Sequence, residues 1–336
     1  MKIAVIGAGA IGGLVGAKLA LAGEEVTFMV RGANLSAIQA KGVKLVLHDA
    51  TELVATNVKA SNDYAATGPQ DVVILAVKAN QVEAVLGDLP KLFGPDTVVV
   101  TMQNGVPFWY FHKHGGDLQG SAVQSVDPTG AIMAGIPAER VIGCVVYPAS
   151  ELVEPGVVHH IEGDRFPLGE LDGKVSERVT KLSEVFAKAG FKAPVLENIR
   201  SEMWLKLWGN LTFNPVSSLS HSTLVDICQF PLTRELATQM MLEAQTVANK
   251  LGIEFRVPLE KRIAGAEKVG KHKTSMLQDI EAGRAPEIDA LVGSVAELGR
   301  LTNTPTPHIN TVYALVKLLA NTMDDAHGCV RVLPRD

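Results

Sequence analysis

The sequence predicts an α/β N-terminal half followed by an all-helical C-terminal half. Three observations carry this. The first hundred residues alternate short apolar runs with helix-like stretches, the pattern of a parallel sheet with crossover helices. A glycine-rich turn follows the first apolar run without a break. Beyond Asn198, strand patterns give way to long stretches of helical periodicity.

Taken in chain order, residues 3–6, 26–30, 71–77 and 97–102 read as buried strands, with shorter strands at 43–47 and 53–58 and helices at 10–22 and 80–89. Apolar runs at 141–147 and 157–161, set between Pro and Gly turns, are expected to add strands to the same sheet. Residues 176–190 read as an amphipathic helix and 193–196 as a last strand. The second half opens with a helix over 199–214, and further helices are expected near 231–251, 259–268, 287–301 and 309–321. The expected domains are therefore 1–197 and 198–336, with a binding site in the cleft between them.

Composition narrows the function class. The 336 residues, 47% of them apolar, suffice for two cores. The net charge of -5 and the scattered lysines and arginines argue against nucleic acid or anionic lipid as a partner, so a small molecule is expected. The opening residues run straight into a strand without the pattern of a secretory leader. Arg31, Lys78 and Asp96 interrupt or bound the best apolar runs, which fall short of the roughly 18 residues that span a bilayer. Cys144, Cys228 and Cys329 are too far apart for a disulfide framework or a paired zinc motif, and reduced, cytoplasmic thiols are expected.

Gly7, Ala8, Gly9, Ala10, Ile11 and Gly12 stand between a strand and an apolar-periodic helix. In that setting the first glycine permits a tight turn and the second lets the backbone approach a pyrophosphate. The third lets the helix press on the strand, while free N–H groups at the helix start face the anion. This is the fingerprint of a Rossmann dinucleotide-binding domain. Arg31 follows the second strand where an acid would bind an unphosphorylated ribose, and an arginine there pairs with a 2′-phosphate, which favours NADPH over NADH. Lys78, just after the strand expected at 71–77, can meet ribose, phosphate or substrate charge. Asn104, between Gln103 and Gly105, is placed to orient the nicotinamide or the substrate.

Lys206, Asn210 and Asn214 recur at i, i+4 and i+8 among Trp204, Leu205, Leu207, Trp208, Leu211 and Phe213. One polar face on so apolar a helix reads as the lining of a site, because a lysine and two asparagines are costly to bury without partners. A desolvated lysine suits ketone reduction, donating a proton to the developing alkoxide. Candidate partners lie in the stretch holding Ser275, Asp279, Arg284, Glu287 and Asp289. Position alone leaves them open: Glu287 also fits a first-turn dipole role, Ser275 a helix cap, and Asp279 an ion pair with Arg284.

Together, the glycine turn, Lys78, the Gln103–Gly105 turn, Lys206 with Asn210 and Asn214, and the Ser275 to Asp289 stretch resemble the ketopantoate reductase family (2-dehydropantoate 2-reductases) over essentially the whole chain. The resemblance implies NADPH-dependent reduction of 2-dehydropantoate to pantoate, a step toward pantothenate and coenzyme A. It makes Lys206 the general acid and Glu287 the second catalytic residue. Asn210, Asn214 and Ser275 would hold the substrate, and Asn104 would stand between cofactor and substrate. Asp279 and Asp289 are left out of the site, because nothing in the sequence separates them from structural salt bridges, and a homodimer is left open as the assembly.

One stretch departs from the family's simpler members. Phe108, Trp109, Tyr110 and Phe111 begin a long aromatic segment near Asn104, and four consecutive aromatics cannot all point inward from one strand. They are expected to form a lid or a subunit contact outside the Rossmann core. Metal is not expected: neither His112 with His114 nor His159 with His160 has carboxylates or cysteines at ligand spacing. Lys271, His272 and Lys273 read as a solvated turn. Other readings remain, namely a reductase of another 2-oxo acid, an opine-type dehydrogenase, or a silent NADP-binding sensor. A sensor would not need a proton donor such as Lys206.

Overall fold

A computed structural model describes residues 1–333. The chain forms two compact units. The first comprises Met1–Gln103, Pro107–Ala122 and Asp127–Ile199, and the second Asn104–Val106, Val123–Val126 and the chain from Arg200 onward. The division is therefore not a single cut, because two short loops of the N-terminal half belong with the helical unit.

The first unit contains strands β1 (Lys2–Ile6), β2 (Glu25–Met29), β3 (Val43–Val46), β4 (Glu52–Ala55), β5 (Val58–Ser61), β6 (Gln70–Leu75), β7 (Phe93–Thr101), β8 (Val141–Cys144), β9 (Ala149–Glu154), β10 (Val157–Glu162) and β11 (Leu168–Glu170). Its helices are α1 (Ala10–Leu21), α2 (Gly32–Lys41), α3 (Tyr64–Thr67), α4 (Ala131–Gly135) and α5 (Glu177–Lys188). The main sheet has the order β11-β8-β7-β6-β1-β2-β5. All its neighbours are parallel except β8 and β11. The chain winds from β1 to β2 on one side and places β6 on the other, so the topological switch lies at the carboxyl end of β1, where open α/β sheets bind ligands.

Four expectations fail here. The 157–161 run does not extend the main sheet but joins a second, four-stranded sheet of order β4-β3-β10-β9. Helix α1 is apolar nearly all round and needs cover on two sides. Phe28 of β2 closes on Gly16 from the main sheet, and Val158 of β10 closes on Gly13 from the small one. The predicted 53–58 strand is accordingly split, β4 going to the small sheet and β5 to the main one. Residues 80–89 are not an α-helix but a series of 3-10 turns at Ala79–Gln81, Glu83–Val85 and Leu89–Leu92. Residues 193–196 contribute only an isolated bridge, Val195 to Leu168, because Pro194 has no N–H for a ladder.

The aromatic segment is also corrected. Phe108, Trp109, Tyr110 and Phe111 are all buried, at 4%, 3%, 0% and 0% exposure. They lie in consecutive turns rather than a strand, so successive rings leave the backbone in different directions and all reach the interior. Trp109 donates its indole N–H to Thr101 Oγ1 at 2.9 Å. Its ring would meet a Cβ on Gly143 at 3.0 Å. These residues are core of the first unit, not a lid.

The second unit has no strand among its described residues, and its α-helices are α6 (Ile199–Ser220), α7 (Leu224–Gln229), α8 (Pro231–Lys250), α9 (Leu259–Lys268), α10 (Ser275–Glu281), α11 (Ser294–Leu301) and α12 (Pro307–Asp325). Helix α6 runs past the expected end at Asn214 because Pro215 removes one N–H but leaves the flanking residues 211–218 buried. Trp204, Leu207, Trp208 and Leu211, at i, i+3, i+4 and i+7, are essentially fully buried. Trp208 bonds the carbonyl of Met241 on α8 at 2.7 Å. The apolar stripe fixes the rotation of α6 and hence where its polar face lies. A π-helical turn, Asp289–Gly293, replaces the first part of the helix expected at 287–301.

Candidate active site

At the switch point of the first unit, Gly7 turns the chain with φ +92°, and a Cβ there would lie 2.8 Å from Val77 Cγ1. A Cβ on Gly12 would lie 2.0 Å from the carbonyl oxygen of Gly7 and 2.9 Å from Ala76 Cβ. Either side chain would push α1 off the strand ends. Gly9 differs, since a Cβ there would meet nothing within 4 Å. It begins α1 with no side-chain cap and no acidic residue in the first turn, which leaves an open, electropositive cradle. Ala8, Ala10 and Ile11 complete the turn, and Asn34 ties it down. The Asn34 amide donates to the carbonyl of Ala8 at 3.2 Å and accepts the N–H of Gly156 at 3.0 Å. Sequence reading missed Asn34; only its place beyond the expected phosphate-binding arginine hinted at it.

Arg31 is exposed and precedes α2 just beyond the carboxyl end of β2. Its charge is close enough to Tyr64 to oppose the burial that raises that phenol's pKa. Lys78 is half-buried past the end of β6, and its backbone N–H donates to Gln81 Oε1 at 3.2 Å. The Gln103 amide donates to the carbonyls of Leu75 and Val77, both at 2.9 Å, and so holds the β6 and β7 exits together. The residues present thus fit a pyrophosphate on the α1 terminus and a cation beside it.

The second unit carries the polar residues expected for chemistry. Lys206, half-buried on α6, donates to Asn104 Oδ1 at 2.6 Å. Asn210 and Asn214 follow at one and two turns along the same face, Asn214 at 6% exposure. Glu287, half-buried, stands two residues before the π-helical turn, and its backbone carbonyl accepts the N–H of Leu291 at 3.3 Å. Ser275 is exposed in the first turn of α10. The cap itself is Thr274, whose hydroxyl accepts the N–H of Leu277, so the Ser275 hydroxyl is not used for capping. Asp279 pairs with Arg284 at 2.9 Å. Asp289 accepts Tyr313 OH at 2.7 Å and Lys317 Nζ at 2.6 Å. Lys273 pairs with Glu281 at 2.8 Å.

Among the described residues no group of three or more His, Cys, Asp and Glu could hold a metal ion, and no helix is long and apolar enough to cross a membrane. His159 and His160 alternate in burial along β10, and His160 bonds the carbonyl of Gly163 at 2.6 Å.

Comparison with known proteins identifies the family. The family model described as "Ketopantoate reductase PanE/ApbA" matches residues 3–173, and its C-terminal counterpart matches residues 198–320. A 2-dehydropantoate 2-reductase of Mesorhizobium japonicum is 54% identical over 95% of this chain and 98% of its own. One from Pyrococcus horikoshii is 31% identical over 94% of this chain and 97% of its own. The crystal structure of a Ralstonia solanacearum protein assigned to the ketopantoate reductases superposes with a TM-score of 0.91. It is 43% identical and covers 96% of this chain and 98% of its own.

Proposed function

Since the chain belongs to the ketopantoate reductase family, we propose that it reduces 2-dehydropantoate to (R)-pantoate with NADPH, using Lys206 and Glu287 as catalytic residues. The observation that carries this reading is the hydrogen bond of 2.6 Å from Lys206 to Asn104, on a helix face otherwise surrounded by tryptophan and leucine. The bond holds an ammonium, a proton donor, at a fixed point beside an amide that can also meet a substrate oxygen. The nicotinamide, when bound, supplies the hydride.

The chain's residues do the rest. The Gly7 to Gly12 turn, with Ala8, Ala10 and Ile11, holds the pyrophosphate on backbone N–H groups. Arg31 pairs with the 2′-phosphate that distinguishes NADPH, and Lys78 meets phosphate or ribose. Lys206 polarises the ketone and delivers its proton to the oxygen as negative charge develops there. Asn210, Asn214 and Ser275 orient the substrate's hydroxyl and carboxylate, and Glu287 accepts the hydroxyl proton in a hydrogen bond that fixes the reacting face. A sensor has no use for such a donor. The three cysteines, none of them in a disulfide, suit a reduced compartment.

NADPH oxidation by the purified protein tests the reading. 2-Dehydropantoate should be preferred over pyruvate, 2-oxobutyrate and 2-oxoisovalerate, and an amine donor should add nothing. Preference for another 2-oxo acid would assign a different substrate to the same chemistry. Turnover that depends on an amine would make this an opine-type dehydrogenase.

A further inference from the structure

We infer that Asp289 is a positioning residue for the reduction, acting through a π-helical turn that sets Asn104 and thereby Lys206. The inference rests on the assignment of Lys206 as the proton donor. It adds a residue that touches neither substrate nor cofactor.

The argument starts from a slipped hydrogen bond. In an α-helix the N–H of Ser294 would take the carbonyl of Ala290, four residues back. Here it takes the carbonyl of Asp289, five back, which is what makes Asp289–Gly293 a π-helical turn. The carbonyl of Ala290 is released from the ladder. It accepts instead the N–H of Val106 at 2.9 Å and the hydroxyl of Ser294 at 2.7 Å. π-Turns of this kind are uncommon and recur at functional sites.

The released carbonyl docks a loop of only three residues, Asn104 to Val106, that belongs to this unit. The fit is close. Gly105 has φ +90°, and a Cβ there would lie 2.1 Å from the carbonyl oxygen of Ala290, so only glycine lets the loop approach. Asn104, the residue before it, presents Oδ1 to Lys206 at 2.6 Å. A shift of Ala290 therefore moves the acceptor that aims the proton donor.

What fixes the turn is Asp289. Its carboxylate is held by Tyr313 OH at 2.7 Å and Lys317 Nζ at 2.6 Å, one turn apart on α12. Burial and the bond to Asp289 push the Tyr313 phenol up to about 12, so it stays a donor throughout the working pH range. Gly293, at the other end of the turn, lies flat against the Tyr313 ring, where a Cβ would approach to 3.0 Å. The turn is thus clamped to α12 on one side and to the Asn104 loop on the other. Farther along, Glu297 of α11 accepts the N–H groups of Gln124 and Ser125 at 2.8 and 2.7 Å, docking the second loop of this unit to the same helical segment.

A double-mutant cycle tests the inference. Asp289→Ala should lower kcat for 2-dehydropantoate reduction about tenfold and leave the KM for NADPH within about twofold. Asp289→Asn keeps an acceptor for Tyr313 and should recover part of the loss; it also serves if the alanine variant does not fold. In an Asn104→Ala background either substitution should cost less than about twofold, because there is no longer an acceptor to misplace. Equal losses in both backgrounds, or a lower Tm with kcat unchanged, would overturn it by making Asp289 a stabilising residue only. Lys206→Ala, assayed alongside, separates the two claims: near-normal turnover there removes the proton-donor assignment itself, whatever Asp289 does.

Discussion

Lys206 Nζ and Asn104 Oδ1 lie 2.6 Å apart although the two residues are 102 positions apart in the chain. A charge-assisted bond of that length directs the ammonium as well as stabilising it. Lys206→Ala should retain NADPH binding and lose roughly 10² to 10⁴ in turnover, the range of a positioned acid. Asn104→Ala, which leaves the donor but not its guide, should lose about 10- to 100-fold, the scale of one hydrogen bond to a charged group. Single-turnover rates at saturating substrate measure both. Turnover of Lys206→Ala near that of the unmodified enzyme would end the mechanism.

The proposed preference for NADPH rests on Arg31, which is exposed beyond the end of β2 with no acid in the first turn of the helix it precedes. Arg31→Asp should weaken NADPH binding by about 1.5 to 3 kcal/mol and leave NADH binding nearly unchanged or better. Fluorescence titration with both dinucleotides decides it, and equal affinity of the unmodified enzyme for the two would count against Arg31 as the phosphate partner.

Some of this could be read from the residues and some could not, and the difference has a physical origin. Gly7 and Gly12 were legible because their requirements are local, a positive φ and a contact across one strand–helix turn. Lys206, Asn210 and Asn214 were legible because helical periodicity puts them on one face and large apolar neighbours make that face unusual. The small sheet was not, since pairing β3 with β10 joins Lys44 to Val157 across more than a hundred residues, and alternation in a strand does not say which sheet it enters. The π-helical turn was hidden for a related reason. It is held by tertiary contacts, Asp289 to Tyr313 and Lys317 and the Gly105 backbone against Ala290, which leave no periodic trace in 287–301. The aromatic segment was misread because inward and outward alternation holds for strands, and residues 108–111 are turns.

The burial of that segment changes what its removal should do. Trp109 is 3% exposed, bonds Thr101 through its indole N–H and fills the space left by Gly143. Trp109→Ala should cost about 3 to 5 kcal/mol of stability, the range for emptying a large aromatic site. Trp109→Phe should cost less, mainly the hydrogen bond and part of the volume. Urea unfolding followed by circular dichroism measures both. An unchanged urea midpoint with an altered substrate KM would restore the segment to the pocket.

Acid stability should depend on Glu170, at the end of β11 with 5% exposure. Its Oε1 accepts from Arg178 Nε at 2.7 Å and Ser176 Oγ at 2.5 Å, and its Oε2 from Arg178 Nη2 at 2.6 Å. Burial by itself pushes this carboxyl up, but the hydrogen bonds from Arg178 and Ser176, together with the Arg178 charge, outweigh it and hold the group below its ordinary value. A carboxyl lowered on folding adds stability that is complete above the unfolded-state value, about 4.3, and is lost as the pH falls through the folded value. Arg178→Ala keeps the burial and removes the main compensation, so the sign reverses and Glu170 is raised instead. The variant should be less stable by about 2 to 3 kcal/mol at neutral pH, because Arg178 is partly exposed and the loss is that of charged hydrogen bonds. Between pH 7 and about 4.3 the gap should narrow, because Glu170 in the variant takes up a proton that relieves its burial, whereas the unmodified enzyme keeps the full benefit of its pair there and loses it only as the pH falls further. Urea midpoints across that range measure the gap, and a constant difference would mean that Arg178 stabilises β11 through packing rather than through the charge on Glu170.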